Sequence, residues 1–273
     1  MTINVKASTT WYEHVILDFL DRKTFKTFYD IGVGPRAEYL IIKQHFQDVD
    51  FFGLEANPAM FEQVVNKFPG TILPLAVSKT PGDVTFVIHE QNVMASGLIP
   101  YDNSSDGEKI NVPSITLDEF DQKFNSQDDI LLWMDIEGYE LNALQSGTKL
   151  LQSGRVKLLN LEVRPRWNHK PDGCTEAEID DLLSTFRYKK IFVYDHHPSS
   201  RHHDAIYVHE SHELPESARR FTDLYSAATN LALSPDGILD LTLAQIDAAV
   251  AKEELEHKII FLREKIKSIE QIV

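Results

Sequence analysis

A chain of 273 residues with 42% apolar content has room for one large α/β domain, an appendage and a sizeable core, which excludes a disordered chain. A net charge of −15 and a pI near 5.1 oppose non-specific binding to phosphate polymers and anionic membranes, so nucleic acid is not the expected partner. The lone Cys174 cannot form an internal disulfide, the start Met1-Thr-Ile-Asn-Val-Lys6 lacks a signal-peptide core, and no apolar run approaches the roughly 18 residues of a membrane helix, so a cytoplasmic protein without a transmembrane segment is expected.

Trp11 to Leu20 carries Val15, Ile16, Phe19 and Leu20 at helical spacing, which predicts a leading helix packed on a sheet. Phe28-Tyr-Asp-Ile-Gly-Val-Gly-Pro-Arg-Ala37 then combines an apolar strand, the strand-end Asp30, and a turn in which Gly32 and Gly34 allow close backbone approach to a ligand. Arg36 to His45 reads as the helix that this turn opens, its free N–H groups facing the same ligand. Val49 to Glu55 is a second apolar strand ending in a carboxylate, about 20 residues beyond the turn, where a ribose-binding acid is expected. Asn57 and Pro58 read as cap and first residue of a helix continuing through Phe61, Val64 and Val65 to Phe68.

Thr71 to Val77 is expected as strand three. Val84 to His89, after the turn Pro81-Gly82-Asp83, and Ile110 to Ile115, after the polar loop Tyr101 to Gly107, are expected as extended segments inserted beside the site. Asp129 to Ile136 reads as strand four, Tyr139 to Gln145 as a helix closed by Gly147, and Val156 to Val163 as strand five. Thr175-Glu-Ala-Glu178 is a capping-box pattern opening a helix to about Phe186. Lys190 to Tyr194 and Ala205 to His209 form a terminal hairpin with a histidine-rich tip, which completes a parallel sheet with one reversed strand.

Beyond that domain, residues 1–213, the pattern turns helical through 214–273, with one helix over Pro215 to Leu233 and a longer piece starting near Thr242. Leu255, Ile259, Leu262, Ile266, Ile269 and Val273 alternate four and three apart, an a/d seam suited to a homo-oligomer or to packing on the chain's own domain.

Open α/β sheets bind ligands at the carboxyl edge of their strands, near the reversal of strand order. The residues expected there are Asp30, Gly32 and Gly34, then Glu55 and Ala56, Ala76 to Ser78, Asp135 and Glu137, and Glu162 with Arg164. So many carboxylates at strand ends demand partners or a ligand.

Four blocks in order, Asp30-Ile-Gly-Val-Gly34, Gly53-Leu-Glu-Ala-Asn-Pro58, Val112-Pro-Ser-Ile-Thr-Leu-Asp118 and Trp133-Met-Asp-Ile-Glu-Gly-Tyr-Glu140, resemble the FkbM family of class I S-adenosylmethionine-dependent methyltransferases over about Thr27 to Arg164. The resemblance implies a Rossmann-like class I methyltransferase fold, a mostly parallel seven-stranded sheet with one antiparallel strand. It also implies O-methylation of sugar or polyketide hydroxyls. In that family's terms Asp30, Gly32 and Gly34 lie near the methionine part of S-adenosylmethionine, Glu55 holds the ribose hydroxyls with Ala56 beside it, Ala76 and Val77 lie by the adenine, and Asp135 stands near the transferred methyl. The family's usual turn has Asn where this chain has Gly34, and Gly where it has Arg36.

Methyl transfer from a sulfonium is an in-line displacement, so the protein must align donor and acceptor and help remove the hydroxyl proton. A base is therefore needed, and the candidates are Asp135 and the hairpin histidines His197 and His203, with His196, His202, His89 and His169 as further ones. Glu137, Glu162 and Arg164 are candidate contacts to a small-molecule or glycan acceptor, joined by Arg166 and Trp167. No metal is required by this reading; in the alternative, Asp135 and Glu162, with Glu137, gather a divalent cation that lowers the acceptor's pKa. Glu140, at a helix start, reads as a cap.

Two other functions fit parts of the chain. Gly32-Val-Gly-Pro-Arg-Ala37 also satisfies the dinucleotide pattern of an NAD(P)-dependent oxidoreductase, although such an enzyme needs neither Asp30 nor the strand-four block. A non-catalytic assembly protein would keep the cofactor fold and use the helical tail. Acceptor choice falls to Gln91 to Gly107, residues 164–173 and the histidine hairpin.

Overall fold

The computed structural model describes residues 16, 19–20, 25–35, 39–46, 48–89, 96–98, 107–163, 175–195, 203–216 and 218–219, with Tyr194, Asp195 and His203 described by their backbone alone. Most of the predicted leading helix, the tip of the histidine hairpin and the tail beyond residue 219 lie outside them.

Seven strands form one sheet: β1 (Phe25–Ile31), β2 (Asp50–Leu54), β3 (Thr71–Leu73), β7 (Asp129–Met134), β8 (Val156–Val163), β9 (Tyr188–Asp195) and β10 (His203–His209), in the order β3-β2-β1-β7-β8-β10-β9. The pairs β1·β2, β2·β3, β1·β7 and β7·β8 are parallel, whereas β10 runs antiparallel to both β8 and β9. One reversed strand in a mostly parallel sheet is the expected architecture, and strand order reverses between β1 and β7, where the fold opens its ligand crevice.

The central strands are buried on both faces, which is why they read as continuous apolar runs. Alternation still separates two cores. Phe28, Leu131, Trp133, Leu158 and Ile206 face one core, with Tyr39 and Ile42 of α1 (Tyr39–His45) and Val64 of α2 (Pro58–Val64). Tyr29, Ile31, Leu132, Met134, Leu159 and Leu161 face the other. There they meet α3 (Leu117–Phe124), α4 (Glu140–Gln145), α5 (Thr148–Gln152) and α6 (Glu176–Thr185) through Phe120, Leu144, Leu151 and Ile179. On this second face Tyr29 Oη donates to Asp121 Oδ1 at 2.9 Å, and Arg155 pairs with the same carboxylate, so the buried phenol stays protonated through desolvation and the adjacent acid. Leu214 and Ala218, at the start of the tail, pack against the first core.

Three local differences from the sequence reading have physical causes. Strand three does not run from Thr71 to Val77: Pro74 has no N–H for the ladder, so β3 stops at Leu73 and β4 (Ala76–Val77) leaves the main sheet. β4 pairs in parallel with β6 (Glu108–Ile115), which pairs antiparallel with β5 (Gly82–Ile88), so the expected insertion is a separate three-stranded sheet around Ala76, Phe86 and Val112. Helix α3 was absent from the reading although Thr116 to Glu119 carries its signal, a reciprocal capping box, with Leu117, Phe120 and Phe124 at helical spacing. The predicted capping box at Thr175 and Glu178 and the Asn57 cap with Pro58 at the first turn are both present.

Candidate functional site

The first half of the site is built mainly from backbone. Gly32 has φ +87°, and a Cβ there would lie 2.0 Å from the carbonyl oxygen of Asp135, so only glycine lets the β1 turn close on the end of β7. The N–H groups of Gly32 and Val33 donate to Leu54 O at 2.9 and 3.1 Å, and Asp135 N donates to Ile31 O at 3.0 Å, which clamps the turn between the ends of β2 and β7. Gly34 has φ +51° with only Gly32 O, 3.8 Å away, near its missing Cβ. That is left-handed backbone with open space, a conformation asparagine also tolerates, so the family's Asn and this chain's Gly satisfy the same turn.

Glu55 ends this half. Its Oε2 accepts from Gly34 N at 2.9 Å and its Oε1 from Asn57 N at 2.7 Å, so the carboxylate bridges the turns after β1 and β2. The group is 7% exposed, and burial pushes its pKa above the usual glutamate range against the opposing donation from Asn57, Gly34 and Ala56 N–H groups. Asn57, 2% exposed, caps α2 by accepting from Ala59 N through Oδ1 at 3.0 Å, while its Nδ2 has no hydrogen-bond partner among the described residues. A desolvated acceptor and an unmatched buried donor side by side fit a nucleoside that brings both hydroxyl donors and acceptors. Asp30, 1% exposed, lies in register with Gly53 on one side and Trp133 on the other. Ala76 and Val77 are buried in β4, where Ser78 Oγ and Ser114 Oγ lie 2.7 Å apart.

The second half is built from side chains. One carboxylate oxygen each from Asp135, Glu137 and Glu162 lies within 4.8 Å of the others, with Glu162 buried and the other two half-buried. Glu137 has φ +58° and Gly138 φ +96°, an unusual turn that a buried side chain holds. Glu140, 1% exposed, accepts from both Ile136 N and Gly138 N at 3.1 Å through Oε1. Its role is therefore to lock the loop that presents Asp135 and Glu137, and the cap residue of α4 is Tyr139, which makes no side-chain cap bond. Glu162 stands in register with Asp204 of β10, 4% exposed.

The structure thus brings Asp30, Gly32, Gly34, Glu55 and Ala56 to one end of the crevice and Asp135, Glu137 and Glu162 to the other. His203 pairs through its backbone with Val163, one residue past Glu162. Arg164, His197, Arg166, Trp167 and His169 lie outside the described residues. His89 sits at the end of β5 in the small sheet, its N–H donating to Ser96 Oγ at 3.1 Å. Asp204 and Asn160 were missed by the sequence reading, and the signal for Asn160 was an amide inside the apolar run Leu158 to Leu161.

A doubly wound sheet whose first turn is held to an acid at the end of the second strand defines a nucleotide-binding α/β protein. The methyltransferase FkbM domain profile matches residues 19–193 of the 273, and the chain belongs to the FkbM family of class I S-adenosylmethionine-dependent methyltransferases. That membership decides against the oxidoreductase alternative. No functionally curated protein matches the chain.

Solved structures share the fold at low identity. Magnesium protoporphyrin IX methyltransferase from Synechocystis PCC 6803 with bound S-adenosylmethionine is 10% identical over 73% of this chain and 75% of that one, with a TM-score of 0.41. Precorrin-6y C5,15-methyltransferase from Geobacter metallireducens GS-15 is 13% identical over 73% and 87%, with a TM-score of 0.42. A protein of the NADB-Rossmann superfamily from Streptococcus agalactiae is 14% identical over 97% and 96%, also at 0.42. Among the described residues no helix is long and apolar enough to cross a membrane.

Proposed function

We propose that this methyltransferase acts on a hydroxyl of a sugar, glycan or other small molecule, with residues 1–213 as the catalytic domain and 214–273 as an assembly segment. One observation carries the reading. The turn that accommodates the donor is locked, through Gly32 and Asp135, to a cluster of three carboxylates suited to a polyhydroxyl acceptor.

Glu55 accepts from the ribose hydroxyls, Asn57 donates beside it, and Asp30, Gly32, Gly34, Ala56, Ala76 and Val77 line the donor. S-adenosylmethionine supplies an electrophilic methyl group on a sulfonium. Glu137, Glu162 and Arg164 hold the acceptor so that its oxygen faces that methyl in line, which is the main contribution a protein makes to such a displacement. Asp135 orients the reacting hydroxyl, and its proton passes to a histidine of the β9–β10 hairpin, His203 or His197, as the oxygen–carbon bond forms and the carbon–sulfur bond breaks.

Incubation with methyl-labelled S-adenosylmethionine and a panel of sugars, nucleotide sugars and polyketide alcohols tests this reading. The expected product carries a base-stable methyl ether. Label found only on nitrogen or carbon would contradict it.

A further inference from the structure

The three carboxylates of the second half carry more than acceptor binding. Their oxygens lie within 4.8 Å of one another at a partly buried strand edge, where like charges repel and a positive charge is needed among them. The spacing is that of oxygens sharing one hard cation: metal–oxygen distances of about 2.0–2.6 Å separate neighbouring ligands by roughly 3–5 Å. Glu140 holds the loop in the shape that turns Glu137 toward this point, so the arrangement is built rather than incidental.

A second observation points to an occupant. Asn160 is 0% exposed, and neither its Oδ1 nor its Nδ2 has a hydrogen-bond partner among the described residues. It precedes Glu162 by two on β8 and stands opposite Trp133, which precedes Asp135 by two, so strand alternation aims its amide along the carboxylate face, one layer beneath the cluster. A buried amide is normally bonded on both sides. A metal-bound water in that layer can donate to Oδ1.

We propose that Asp135, Glu137 and Glu162 bind one hard divalent cation, of the Mg²⁺ or Mn²⁺ class, and that Asn160 is a positioning residue for one of its waters. The inference rests on the reading of the site as one for hydroxyl acceptors. The cation would coordinate the acceptor oxygen and lower its pKa, which gives Asp135 its orienting role.

The test is calorimetric titration of the full chain with Mn²⁺, cross-checked by the Mn²⁺ paramagnetic resonance signal, with S-adenosylhomocysteine binding measured on the same sample. One Mn²⁺ should bind, at least ten-fold more weakly in Glu137→Gln and Glu162→Gln; Glu137 is half-buried, so its variant serves if Glu162→Gln fails to fold. Asn160→Leu should weaken Mn²⁺ about ten-fold while leaving S-adenosylhomocysteine affinity and the melting temperature at or above wild type. A wild type that binds S-adenosylhomocysteine but no Mn²⁺ would overturn the cation and leave the methyltransferase reading standing. Equal Mn²⁺ affinity in wild type and both glutamate variants would also overturn it, and equal affinity in Asn160→Leu would remove Asn160 from the site. Mn²⁺ binding without any S-adenosylhomocysteine binding would support the cation and sink the donor site instead.

Discussion

The two halves of the crevice are made from different materials. On the β1–β2 side, glycine conformation and backbone N–H groups define the shape, and one carboxylate, Glu55, is fixed by donors from two turns. On the β7–β8 side, the shape comes from carboxylates converging from separate strands, held by Glu140 on a loop with left-handed backbone at Glu137. A backbone-built half suits a ligand that never changes, whereas a side-chain-built half is where single substitutions can alter acceptor choice. The donor half should therefore respond to substitution through folding and donor affinity, and the acceptor half through turnover.

The largest effect is expected at the seam between them. Gly32→Ala puts a Cβ on the Asp135 carbonyl and strains left-handed backbone, so it should cost about 3 kcal/mol or more and lower the denaturation midpoint in urea along with donor binding. Next is Glu140→Ala, which strips the acceptor from two N–H groups of the Asp135–Glu137 loop. At about 1–3 kcal/mol for such a loss, stability should fall, and kcat should fall far more than S-adenosylhomocysteine affinity. Glu140→Gln keeps an acceptor oxygen and should restore most of both.

A subtler test concerns protonation of the donor half. Burial raises the pKa of Glu55 in the folded chain, so the folded state holds its proton more tightly than the unfolded state does. The contribution to stability is present at low pH and is lost as pH rises from the ordinary value of 4.5 through the raised folded value. Denaturation across that window should show wild type losing stability relative to Glu55→Gln as pH rises; the opposite slope would contradict the burial account. The smallest effect is expected at Gly34, where Asn should change stability by no more than about 0.5 kcal/mol. Val at the same position should cost about 1–2 kcal/mol, and equal melting temperatures for the two variants would argue against the left-handed turn.

The same contrast explains what was legible in the sequence. The donor half is local: a strand-end Asp30, two glycines and an acid at the next strand end are written within Phe28 to Glu55, and buried strands such as β8 announce themselves as apolar runs with the observed bounds. The split of strand three turned on one missing N–H at Pro74, which a run of apolar residues around it concealed. Helix α3 was written in Thr116 to Glu119 and could have been read. The acceptor half was legible as a set of residue types at strand ends, but the convergence of Asp135, Glu137 and Glu162 depends on the register of β7 with β8 and on the turn that Glu140 imposes. Asn160 is an amide whose meaning appears only once its neighbours across the sheet are known.

The central claim is that Glu55, clamped by Gly34 and Asn57, is the nucleoside anchor of a methyltransferase. Calorimetric titration of the full chain and of Glu55→Ala with S-adenosylhomocysteine tests it most directly. The account predicts micromolar binding by wild type and loss of that binding in a variant that still melts cooperatively. Equal affinity in the two proteins, or no binding by a folded wild type, would contradict it.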